Sequence, residues 1–306
     1  MGVNKVLLTG AAGYVAGQLL PAFRERYDMV LVDVREENRQ GDRVDGVVVA
    51  DLTNPDRESY AHLFEDVGAV VHLGYRRHSG RPVDHYFDEK SNVEMAYNVL
   101  RSAYDRGVPR VAVASSNLAT SWYEHALIHC REMDMVDAAM RPLSDGFYGW
   151  AKATVEHMGF LFACGAMGVE SDEGVGHHTD GLRHAGRKMG VVMVRIGWPW
   201  ELDVSQYGGN TAAYKRDLGA YVSPNDLTQL FVRAIETPDL ENEYGVPWHV
   251  VYGISNNARA FWSLANARQV LGYQPEDDSE VKYAEDIRGF LIGEGATGGV
   301  GRVGAA

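Results

Sequence analysis

Short apolar runs alternate along this chain with longer segments in which apolar side chains recur every three to four positions. The runs at 6–8, 29–32, 47–50, 69–73, 110–114, 191–196 and 248–252 have the length and β-branched content of buried strands. The segments at 15–23, 55–65, 91–106, around Tyr148, after Ser223 and at 261–271 have helical spacing. Such alternation predicts an α/β fold, a doubly wound parallel sheet with helices on both faces. The predicted central strands end on small or polar residues, and in open α/β sheets that carboxyl edge is where ligands bind. Residues 1–197, joined by the strand at 248–254, form the predicted nucleotide-binding unit. Residues 198–292 form a small substrate-binding region, and the Gly- and Ala-rich 293–306 a disordered tail.

The first strand runs into Thr9-Gly10-Ala11-Ala12-Gly13, and a helical pattern starts at once. Glycines 10 and 13 stand where a backbone must turn tightly and approach a pyrophosphate, and Ala16 is small where helix packs on strand. The helix N-terminus then offers free N–H groups and a positive dipole end to the phosphates. These are the features of a Rossmann-type dinucleotide site. The second strand ends at Asp33, about 20 residues downstream, where a carboxylate accepts hydrogen bonds from an adenosine ribose. An acid there favours NAD; Arg35 close by is the residue that argues for NADP.

Tyr148-Gly-Trp-Ala-Lys152 follows a Ser115-Ser116 pair that ends an earlier strand. Residues four apart share one helix face, and an ammonium one turn from a phenol favours the phenolate. Lys152 is therefore expected to lower the Tyr148 pKa towards neutral, which would let the phenol exchange a proton at physiological pH. A solvated helix face is the alternative meaning of the same spacing, and the nucleotide signature upstream weighs against it.

Together these residues resemble the extended short-chain dehydrogenase/reductase family, the NAD-dependent epimerases and dehydratases, over nearly the whole chain to about residue 290. The resemblance rests on Thr9-Gly-Ala-Ala-Gly13, Asp33, Asp51-Leu52, His72-Leu-Gly74, Asn92-Val93, Ser115-Ser116 and Tyr148…Lys152, in order and spacing. Ala114-Ser-Ser-Asn117, Val194-Arg-Ile-Gly197 and Val251-Tyr-Gly-Ile-Ser-Asn256 followed by Leu271-Gly-Tyr-Gln-Pro275 look like the branch of uronate dehydrogenases and archaeal NAD-dependent glucose-6-phosphate dehydrogenases. That branch oxidises the anomeric carbon of a sugar to a lactone. The resemblance implies Tyr148 as general base, Lys152 as its modulator and ribose ligand, and Ser116 as the partner of the reacting hydroxyl. It implies NAD contacts from Gly10, Gly13, Tyr14, Val15, Asp33, Asp51, Leu52, Leu73, Gly74, Asn92 and Ile196, with Asn92 alternatively structural. Asn117 would contact the sugar, and Arg216 has the interval to Tyr221-Val-Ser223 of a substrate-binding arginine that forks a carboxylate or phosphate. Arg77 and Trp198 depart from the small hydroxyl residues of the uronate enzymes, and Leu118 replaces a polar neighbour, so a differently shaped substrate is expected.

The remaining expectations are coarser. A nucleotide-sugar epimerase or dehydratase shares every cofactor motif, although its usual substrate region is larger; a non-catalytic NAD sensor is the reading from another class, against which Ser116, Tyr148 and Lys152 argue. The formal net charge of −13 weighs against nucleic acid or an anionic membrane as partner. No apolar run reaches membrane-spanning length. Two cysteines, Cys130 and Cys164, are too few for a disulfide framework, which makes a reducing cytoplasm the default. His177, His178 and His184 with Cys164, or His125, His129 and Cys130, lack the spacing of a zinc site, and no metal is expected. The stretch 164–187 reads as an insertion far from the pocket, an oligomer contact or mobile loop. Val93, Ala96, Tyr97 and Leu100 on one helix and Val155, Met158, Gly159 and Phe162 on another share faces that suggest a homodimer, or simply the side packed on the sheet.

Overall fold

The computed structural model describes residues 3–77, 84–168 and 186–292. The predicted tail at 293–306 and most of the 164–187 insertion lie outside the described residues. The strands are β1 (Lys5–Thr9), β2 (Asp28–Asp33), β3 (Val47–Val49), β4 (Ala69–His72), β5 (Arg110–Ser116), β6 (Gly190–Ile196) and β7 (Trp248–Gly253). They form one seven-stranded sheet in the order β3-β2-β1-β4-β5-β6-β7, parallel throughout. The helices that matter below are α1 (Tyr14–Arg26), α2 (Glu58–Ala61), α3 (Tyr86–Asp105), α4 (Ser121–Tyr123), α5 (Phe147–Ala163), α6 (Thr211–Ala220), α7 (Pro224–Glu236) and α8 (Ala265–Leu271).

Strand pleating divides the core in two. Val6, Leu8, Val192 and Val194 point into a cluster that also holds Leu19 and Phe23 of α1 and Leu227, Leu230 and Phe231 of α7. Leu7, Val191 and Met193 point the other way, against Val99 and Leu100 of α3 and Val155 and Phe162 of α5. Burial on both faces is why these strands read as continuous apolar runs. The chain leaves β1 for β2 and β3, then crosses to β4 on the other side of β1, so the switch point lies where β1 and β4 end.

The seven expected strands are all present, but several helices differ. The helix expected at 55–65 is only α2 followed by a single 3-10 turn, His62–Phe64, because the Asn54 side chain accepts from Asp56 N in a local turn that competes with helix. The helix expected at 261–271 shortens to α8, since Val136 and Trp262 pair as an isolated bridge. Between β6 and α7, where the sequence showed no helical spacing, stands α6, capped by the Asn210 side chain on Ala213 N. Ser223 caps α7 through Asp226 N, with Pro224 in the first turn, as the sequence suggested.

Candidate active site

Two adjoining cavities, about 710 and 420 Å³, open at the carboxyl edge of the sheet around the switch point. Gly10 ends β1 at φ +69°, and a Cβ there would lie 2.8 Å from the backbone N of Gly74, so only glycine lets the two strand ends approach. Gly13 is the N-cap of α1 and gives the helix no side-chain cap, which leaves first-turn N–H groups facing the cleft. The Asp33 carboxylate accepts from Ala12 N at 2.9 Å and from Val34 N at 2.7 Å, tying the end of β2 to the glycine turn. Asp33, Asp51, Leu52, Leu73 and Gly74 line the larger cavity with Arg35. Tyr14, Val15 and Ile196 line the smaller one, and Gly10, Gly13 and Leu73 border both. This cradle fits a dinucleotide: a backbone with no side chain in its way, open helix N–H groups and a carboxylate at the second strand's end.

Ser116, Asn117, Tyr148 and Lys152 meet in the smaller cavity. The end of β5 delivers Ser116 and the 3-10 turn after it Asn117; α5 delivers the others, seated close because Gly149 faces Leu118 O and the Ser144 side chain where any Cβ would collide. Ser116 Oγ accepts from Leu118 N at 3.2 Å, and Lys152 Nζ donates to Ala114 O at 2.9 Å. The Lys152 ammonium lies 5.7 Å from the Tyr148 ring centroid and 5.3 Å from that of Tyr75, which meets Tyr148 edge-to-face. Burial pushes the Lys152 ammonium down to about 8, against the nearby charges of Glu89 and Glu156 that raise it. The expected lowering of Tyr148 is not what this geometry gives. Burial pushes the phenol up and outweighs the hydrogen bond from Ser116 that lowers it, and Glu89 adds to the rise. Lys152 spends its short contact on Ala114 O.

Asn92 stands behind this layer. Its Oδ1 accepts from Arg76 N at 2.8 Å and its Nδ2 donates to Arg76 O at 3.0 Å, so it clamps the loop after β4 and does not line either large cavity. Arg77, on the same loop, is exposed and borders both cavities. Trp198 packs beside Trp200, which stacks on Tyr14 at 5.5 Å. Arg216 reaches the cavity from α6, but its guanidinium is already engaged. Nε and Nη2 donate to the two oxygens of Glu124 at 2.7 and 3.0 Å, and Nη1 donates to Asp217 at 3.0 Å.

Residues 6–163 match the profile of the NAD dependent epimerase/dehydratase family, about half of the chain. The chain belongs to this family. It is 31% identical over 287 residues to an NAD-dependent glucose-6-phosphate dehydrogenase of Haloferax volcanii, covering 90% of this chain and 94% of that one. It is 29% identical to a uronate dehydrogenase of Pseudomonas syringae pv. tomato, covering 91% of this chain and 84% of the relative. A solved structure of a mutated uronate dehydrogenase superposes with a TM-score of 0.67 at 25% identity, over 97% of this chain and 94% of the other. Family membership makes the chain an NAD-dependent enzyme, and the cradle above fits that cofactor.

Sequence reasoning missed Tyr75, Glu89, Glu124 and Trp200. Glu89 is fully buried on α3, accepts from Tyr75 OH at 2.6 Å and sits three residues before Asn92, a spacing that was available as a signal. Glu124 carried none, being 92 residues from the arginine it binds. Burial would push its carboxyl up, but hydrogen bonds from His129 and Arg216 win and hold it at about 2. His125 likewise pairs with Asp145 at 2.6 Å. His177, His178 and His184 lie outside the described residues.

Proposed function

We propose that this enzyme oxidises a sugar hydroxyl, carrying the anomeric carbon of an aldose-type ring to a lactone, with Tyr148 as general base. The observation that carries the reading is the meeting of Ser116, Tyr148 and Lys152 in the cavity that adjoins the dinucleotide cradle. The names of the relatives, both sugar dehydrogenases, support it. NAD supplies the hydride acceptor when bound. The Ser116 hydroxyl orients the reacting hydroxyl, the Tyr148 phenolate takes its proton, and Lys152, anchored on Ala114 O, would hold the nicotinamide ribose. Since burial raises Tyr148, the active phenolate is scarce near neutral pH, and kcat/KM should climb as pH rises on the alkaline side.

The decisive experiment is NADH formation in solution against a panel of aldoses, uronates and sugar phosphates, with Tyr148→Phe alongside. The expected result is turnover of at least one sugar by the native enzyme and a kcat lowered by at least about a hundredfold in the variant, with NAD affinity near native. A variant that keeps more than about a tenth of the activity removes Tyr148 from the mechanism. An epimerase would interconvert sugars without releasing NADH.

The enzyme's place as a cytoplasmic homodimer belongs to the same proposal. Among the described residues no helix is long and apolar enough to cross a membrane. The faces expected to pair mostly turn inward instead: Ala96, Leu100, Val155 and Phe162 are buried in the sheet-facing cluster, with Val93 and Met158 packed against it. What stays exposed on α3 and α5 is Phe87, Tyr97, Trp150 and Leu161. Tyr97→Asp should therefore dissociate a dimer, and a native mass near 33.8 kDa by sedimentation would rule the dimer out.

A further inference from the structure

Arg216 is the one cationic side chain of α6 that lines the sugar cavity, and an arginine in such a place invites a carboxylate. Here the protein supplies its own. Glu124, 2% exposed, fills the side-on fork of the guanidinium with both oxygens, and Asp217 takes a third N–H. Five guanidinium N–H groups less these three leave two single donors on different nitrogens, which suit hydroxyl oxygens. Glu124 and Arg216 cancel in charge, and Asp217 beside them adds negative character. An incoming carboxylate would meet the negative charge of Glu124 and Asp217 at close range and find the side-on fork already filled, so its desolvation would go largely uncompensated.

Arg39, Arg77 and Lys152 also line this cavity, and beside Arg216 stand two neutral donors. Asn117 Nδ2 and Trp198 Nε1 are buried donors with no partner within the described protein, and both residues line the same cavity. Buried donors without partners are destabilising unless something accepts from them, and ring or hydroxyl oxygens of a sugar would. Trp198 and Trp200, with centroids 5.0 Å apart and planes inclined at 58°, offer apolar faces for the C–H side of a pyranose.

We infer that Glu124 is a specificity-determining residue: it occupies the Arg216 fork, so that this end of the pocket receives the uncharged hydroxyls of a neutral aldose and refuses a uronate carboxylate. The inference deepens the sugar-dehydrogenase reading and rests on it. Steady-state kinetics of the full-length enzyme with NAD, on matched pairs of glucose with glucuronate and galactose with galacturonate, tests it. The neutral member of the better pair should have a kcat/KM at least about tenfold above its uronate. Glu124→Gln should narrow that ratio by about tenfold or more, through the KM of the uronate, because the freed fork then accepts a carboxylate. As that variant removes half of a buried pair, a second measurement needs no mutation: glucuronate should fail to inhibit oxidation of the neutral sugar by the native enzyme. Uronates oxidised better than neutral aldoses, or competitive inhibition by glucuronate, overturns the assignment and leaves the dehydrogenase reading standing. A preference for glucose 6-phosphate that Arg216→Gln abolishes also overturns it. Turnover of no sugar at all overturns both.

Discussion

The two halves of the cleft are built from different material. On the cofactor side the geometry is in the backbone: Gly10 against Gly74, open N–H groups at Gly13, and an Asp33 carboxylate that binds main-chain donors. On the sugar side it is in paired side chains drawn from distant parts of the chain: Glu124 with Arg216 at the cavity, and Glu156 with Arg195 behind Asn117. That second pair is buried and bidentate, and it extends through Tyr252 OH to Thr120 and on to Asn117 O. A backbone-built half fixes one ligand for a whole family. A half built from side-chain pairs can be re-aimed by single substitutions, and that is where relatives with different named substrates are free to diverge.

If this contrast is right, substitutions should damage one half and spare the other. Glu156→Gln should have the largest effect, about 3–5 kcal/mol of stability, because it leaves the Arg195 guanidinium buried without its counter-charge. Denaturant unfolding would measure it, and NADH affinity of the folded fraction should stay within about threefold of native. Gly10→Val should do the reverse. The strained positive φ and the close approach to Gly74 predict a loss of NADH binding of at least about a hundredfold by fluorescence titration. Asp33→Ala should weaken NAD and improve NADP relative to it by about tenfold in kcat/KM. A native enzyme that already prefers NADP would show that Arg35, not Asp33, sets the choice. The smallest effect is an acid limb of stability. Glu124 is held at about 2 against an ordinary 4.5, so its pairing is fully present above pH 4.5 and is lost as pH falls towards 2. Thermal melts over that window should show a shallower acid loss in Glu124→Gln than in the native protein.

How much of this could be read from the chain follows the same division. The strands were legible because burial on both faces turns them into apolar runs, and Gly10, Gly13 and Asp33 because their roles are local in sequence. Tyr148 and Lys152 share a helix and a cavity as their spacing suggested, yet the direction of the Tyr148 shift was not legible, since desolvation is a property of the packed fold. Asn92 was found as a position, but its partner, the Arg76 backbone, could not be. Arg216 showed its interval to Ser223 and hid its occupancy by Glu124, a contact across 92 residues that no local pattern announces. Helix α6 was missed for a smaller reason: ten residues of mixed polarity carry little periodic signal.

The serine pair at the end of β5 has a consequence for folding fidelity. Ser115 donates to Glu156 under α5 at 2.6 Å, while its neighbour Ser116 hydrogen-bonds to Tyr148. Consecutive strand residues face opposite ways, so one hydroxyl bolts the sheet to the helix and the next serves the cleft. A slip of one residue in the pairing of β5 with β6 would put Ala114 and Ser115 in the two places, unfastening the helix, or Ser116 and Asn117, emptying the cleft of its hydroxyl. Each direction of slip thus has its own mark, a loosened helix or a silent cleft, and only the native register keeps both hydroxyls in use.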